Sequence, residues 1–159
     1  MKLRFKSMYV AAAVLATASG AVLAGGAALP ANAATSTSCT SKLVKTATLT
    51  SGTGNTLGQG RLYSNGNGGW CGMTVHTGSF VGKATVTEVY VDGAKLNGTE
   101  NGSGGADDGT YSNYAGPALA SGPCVHARFS MNNAKHNHGG SAVIYFGCTS
   151  NNHVATASW

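Results

Sequence analysis

Between breaks rich in glycine and asparagine, apolar and β-branched residues recur along this chain with a period of two. That is the repeat of a strand whose successive side chains point to opposite faces. Over residues 43–50, Leu43, Ala47 and Leu49 fall on one side and Val44, Thr46 and Thr48 on the other. A short strand at 60–64 carries Leu62 beside Tyr63 and ends at Asn65-Gly66, a pair favoured in tight turns. Residues 70–77 group Cys71, Met73 and Val75, which predicts that this face points inward. Residues 84–92 are rich in Val, Thr and Tyr, with Asp92-Gly93 read as the closing turn. At 123–131, Val125, Ala127, Phe129 and Met131 oppose Cys124, His126, Arg128 and Ser130. Residues 141–149 set Ala142, Ile144, Phe146 and Cys148 against Val143 and Tyr145; apolar on both faces, this strand is expected at the centre of its sheet.

No segment after Ala34 has helical spacing, and the one candidate turn, at 115–120, contains Gly116-Pro117, where proline removes a helix donor. The pattern therefore predicts an all-β domain, a small antiparallel β-sandwich or barrel. The segment 97–109 is almost wholly Gly, Asn, Ser and acidic residues and is expected as a surface loop.

The amino terminus follows different rules. Lys2, Arg4 and Lys6 precede an uncharged stretch ending at Leu29, then Pro30 and Ala31-Asn32-Ala33. This is the layout of a helical secretory signal peptide over residues 1–33, cut ahead of Ala34. Its apolar run is mostly alanine and glycine, a weaker membrane segment than a leucine-rich span, so no membrane association is expected after cleavage. Residues 34–159 remain as a single secreted domain of about 125 residues, enough for one core.

Removing the leader changes the charge balance, because three of the ten basic residues leave and all five acidic ones stay. Seven cations against five carboxylates leave plus two, and Lys42, Lys45, Arg61, Lys83, Lys95, Arg128 and Lys135 are scattered. A nucleic-acid partner, which needs a clustered basic face, is not expected. All four cysteines, Cys39, Cys71, Cys124 and Cys148, lie after the cut, as disulfides of an exported protein do. Three pairings are possible; Cys39 with Cys71 and Cys124 with Cys148 is favoured because each joins neighbouring segments. No two cysteines have the C-x2-4-C spacing of a zinc site.

Chemistry-bearing residues are few. His136 and His138 form an H-x-H pair that a strand would aim to one side, a possible metal site with Asp107, Asp108, His126 or His153 as further ligands; a polar loop between strands is the plainer reading. No G-x-S-x-G elbow is present, and the mature carboxylates are Glu88, Asp92, Glu100, Asp107 and Asp108, with only Glu88 inside a predicted strand. No catalytic residues and no cofactor are assigned, and a non-enzymatic protein is expected. Trp70, Tyr111 and Tyr114 are candidate aromatic contacts for a ligand, against the ordinary alternative that they pack in the core.

Four pieces carry a family resemblance: Gly60-Arg61-Leu62-Tyr63, Trp70-Cys71-Gly72-Met73-Thr74-Val75, the run from Asp108 through Tyr111-Ser112-Asn113-Tyr114-Ala115-Gly116-Pro117, and Cys124-Val125-His126-Ala127. In this order they resemble the spore-associated protein A family, small secreted proteins of filamentous actinobacteria. The resemblance implies a location at the cell or spore exterior, with a cell-wall or spore-surface polymer as possible partner, and no reaction. An extracellular carbohydrate-binding or inhibitor-like module is the alternative.

Overall fold

A computed structural model describes residues 39–133, 138–149 and 152–159; the leader and His136 lie outside them. The described residues form nine strands: β1 (Lys42–Thr50), β2 (Thr56–Ser64), β3 (Gly69–His76), β4 (Thr85–Ala94), β5 (Glu100–Tyr111), β6 (Tyr114–Ser121), β7 (Cys124–Asn133), β8 (His138–Phe146) and β9 (Val154–Ser158). A single 3-10 turn, Gly78–Phe80, interrupts them. The strands make two antiparallel sheets packed together, a four-stranded one in the order β1-β2-β3-β6 and a five-stranded one in the order β5-β4-β7-β8-β9. The expected all-β architecture is present. No helix among the described residues is long and apolar enough to cross a membrane.

The core lies between the sheets. From β7, Val125, Ala127, Phe129 and Met131 point into it, all fully buried, as their alternation predicts. From β8, Ala142 and Ile144 join them, and from β4, Val89 and Val91. Against these the four-stranded sheet sets Leu49, Leu57 and Leu62. Both disulfides have the favoured pairing: Cys39 with Cys71 at a Cα separation of 5.8 Å, and Cys124 with Cys148 at 4.9 Å. They close loops of 32 and 24 residues, which by loop entropy stabilises the fold by about 3.5 kcal/mol each.

Several local expectations are corrected. On β3 the inward side is Trp70, Gly72, Thr74 and His76, so Cys71, Met73 and Val75 face the other way: a β-carbon placed on Gly72 would meet Val91, Val89 and Phe129. The strand is buried on both faces for most of its length, so apolarity does not tell its two sides apart. In β1 a register shift between Leu43 and Lys45 breaks the alternation, leaving Leu43 45 % exposed while Val44 packs on the core. Asp92-Gly93 is no turn but the buried interior of β4; a β-carbon on Gly93 would lie 1.8 Å from the Ser121 carbonyl oxygen, so only glycine permits this approach. The actual turn follows at Lys95, whose carbonyl accepts from Gly98.

The expected loop at 97–109 is mostly strand β5, paired with β4 from Thr85 opposite Tyr111 to Ala94 opposite Glu100. The central strand of the larger sheet is β7, with β8 one place from it and β9, unforeseen, at the edge. Where β5 meets β6 the sheets are joined by side chains. Ser103 Oγ donates to the Ser121 carbonyl at 2.7 Å, Asn101 Nδ2 donates to the same oxygen at 3.2 Å, and Gly116 N donates to Asp107 Oδ2 at 2.6 Å.

Candidate functional site

The outward face of the five-stranded sheet gathers a cluster of titratable and aromatic groups, among them Glu88, Tyr90, His126, Arg128 and Tyr145. Period two dictates which residues stand there: the inward positions of β7 and β8 are apolar, so His126, Arg128, Ser130 and Tyr145 take the outer face. Register then decides which of them meet. Tyr90 pairs with Arg128 and His126 with Tyr145 across the ladders, while Tyr145 N donates to the His153 carbonyl at 2.9 Å. Directly opposed residues of neighbouring strands are about one strand spacing apart, the distance at which flat rings stack. The His126 and Tyr145 rings lie 4.5 Å apart at 10°, and those of Tyr145 and His153 lie 4.7 Å apart at 21°.

This row of three rings has a chemical consequence. Because the stacking axis runs from strand to strand, four of the six ring faces are spent on one another, both of Tyr145 and one each of His126 and His153. The row offers imidazole nitrogens and a phenol hydroxyl for hydrogen bonding; it is not a flat platform.

Several of the charges beside it are engaged by neighbouring side chains. Glu88 accepts from Arg128 Nη2 at 2.9 Å through one carboxylate oxygen and from Ser130 Oγ at 3.0 Å through the other. The Arg128 guanidinium lies 5.7 Å from the Tyr90 ring centre, a cation–π contact. Glu100 bonds His126 Nδ1. Tyr90 donates its hydroxyl proton to Asp92 Oδ2 at 3.2 Å, and burial, with that bond and the nearby Asp92 and Glu100 charges, raises its pKa.

The residues singled out from the sequence are placed elsewhere. Trp70 is 7 % exposed, lies in the core cluster beside Phe146 and donates Nε1–H to the Gly122 carbonyl at 2.8 Å; its ring is no surface contact. Tyr111 packs half-buried against the core and donates its hydroxyl to Asp107, whose acceptance of that proton, aided by burial, pushes the phenol up to about 12. Tyr114 is half-buried at the start of β6, opposite Val75. Neither tyrosine is in ring contact with Trp70, whose aromatic neighbour is Phe146. His138 opens β8 opposite Asn133. Of its suggested co-ligands, Asp107 is held by Tyr111 and Gly116, His126 by Glu100 and Tyr145, and His153 by Tyr145. Among the described residues no three His, Cys, Asp or Glu side chains converge to hold a metal ion.

Sequence reading missed His76, which is buried on the inward side of β3. Its Nδ1–H donates to the Phe80 carbonyl at 3.2 Å, and Nε2 shares a hydrogen bond with the Thr87 hydroxyl at 2.8 Å. Burial lowers its pKa against the opposing effect of the neighbouring carbonyls. Neither the family models, the curated proteins nor the solved structures contain a match to this chain.

Proposed function

We propose that this chain is an exported, non-enzymatic protein of the cell or spore exterior, acting through the outer face of its five-stranded sheet. The observation that carries the reading is the pair of disulfides, one in each part of the sandwich, which belong to an oxidising compartment. The leader-like sequence at 1–33 and the resemblance to spore-associated protein A agree with it. The carboxylates support a structural role for themselves: Glu88, Glu100 and Asp107 each hold a neighbouring side chain or amide in place. Intact mass and thiol counting on protein from culture medium and from washed spores tests this. A chain starting at Ala34 or next to it, with no free thiol and enriched on the washed surface, is the expected result. Cytosolic protein retaining Met1 and four thiols overturns it.

The second reading, a carbohydrate-binding module, draws on the His126–Tyr145–His153 row. Its imidazole nitrogens and phenol hydroxyl are groups that hydrogen-bond the hydroxyls of a glycan. Retention on chitin, cellulose and isolated cell wall should be saturable and lost in Tyr145→Ala with the fold intact; retention that ignores this substitution rejects the reading.

A further inference from the structure

The edges of the two sheets are not treated alike. An edge strand presents unpaired amides and carbonyls, and proteins ordinarily guard it with charge, bulges or cover. On β1 the outer strand carries Lys42 and Lys45 and two register shifts. The β5 and β6 edges are braced against each other by Asn101, Ser103 and Asp107. Strand β9 has none of these devices. Its sequence, Val154-Ala155-Thr156-Ala157-Ser158, contains no charge and no proline, its ladder with β8 is regular, and all five residues are exposed.

Which of its groups are open follows from the ladder. Trp159 and Gly139 exchange both backbone bonds, Trp159 N to Gly139 O at 3.1 Å and Gly139 N to Trp159 O at 2.9 Å, and Tyr145 N donates to His153 O. Antiparallel pairing alternates, so 155 and 157 also turn their amides toward β8, while Val154, Thr156 and Ser158 turn theirs away from it. These three lie opposite Ile144, Ala142 and Gly140, hence on the core side of the sheet, yet they are exposed; the smaller sheet reaches the end of this edge, where Gly52 N donates to the Trp159 carbonyl at 3.1 Å.

We propose that this edge pairs with the same edge of a second copy of the chain, antiparallel about a twofold axis at Thr156. The segment is complementary to itself. Thr156 meets Thr156, a favourable cross-strand pair, Val154 meets Ser158, and Ala155 meets Ala157 where side chains come closest. No like charges are opposed. The three outward residues of each strand supply about six backbone hydrogen bonds. At both ends His153, the last ring of the stacked row, stands opposite the second copy's Trp159, which is 48 % exposed here. The result is a sheet continuous across two molecules, and the inference does not depend on where the protein resides or on any glycan.

A contact of this kind buries less than the roughly 1,200 Å² of a standard interface, so association is weak. Sedimentation equilibrium of the disulfide-intact protein from about 10 µM to about 1 mM should therefore show the mass doubling with concentration. Thr156→Pro removes an amide that β8 does not use, and Thr156→Lys places two ammonium groups on the axis; both should stay at the single-chain mass with the near-UV circular dichroism of the parent. If the proline variant unfolds, the lysine variant decides. A parent protein that keeps the single-chain mass at the highest concentration overturns the proposal, as does association unchanged in a folded Thr156→Lys protein.

Discussion

Phe129 is fully buried on β7, and the opposing sheet makes room for it by lacking side chains. A β-carbon built on Gly60 would fall 2.4 Å from Phe129 Cγ and 2.5 Å from Cδ2, and one on Gly72 would fall 3.4 Å from its Cε1. The ring thus sits in a slot cut by glycines, and the two sheets are locked by a size match between β2 and β7. Gly60→Ala forces either the ring or the strand to move. Overpacking of that degree costs about 1–3 kcal/mol, which lowers the melting temperature by about 4–10 °C in a domain of this size. Phe129→Leu alone removes buried carbons and leaves a void, costing about 1–3 kcal/mol. In the double variant the new methyl fills part of that void, so the combined loss should fall short of the sum by at least about 1 kcal/mol. Urea unfolding of the four proteins, with the slope checked for constancy, measures the coupling. Losses that add to within about 0.5 kcal/mol would refute the slot.

Two titrations follow from buried groups. His76 is held neutral by burial, so its folded pKa lies below the unfolded value; its contribution is complete above about pH 6.5 and declines as pH falls toward the lowered folded value. Urea midpoints should drop between about pH 7 and pH 5, less steeply in His76→Gln, and an equal slope in that variant removes the attribution. Tyr111 ionises near 12 chiefly because Asp107 accepts its proton, so Asp107→Asn should bring its ultraviolet titration back toward the usual value near 10, with the high value persisting if burial alone is responsible.

Sequence determined the elements whose two faces differ. Val125, Ala127, Phe129 and Met131 alternate with polar residues, and that contrast fixes both the strand and its orientation, because a half-buried strand leaves only one way to hide its apolar set. The all-β class followed from the same contrast repeated between glycine and asparagine breaks. Where both faces are buried, as on β3, the pattern has no polarity to read, and packing against Val89, Val91 and Phe129 chose the side of Gly72 and His76. Strand β5 has no apolar alternation at all; it exists because β4 offers it a ladder and its small residues let it lie against β6. The row of His126, Tyr145 and His153 was equally invisible. Period two puts His126 and Tyr145 on a face, but only the register between strands brings those rings, and that of His153, within stacking distance, and register is set by tertiary pairing among segments remote in the chain.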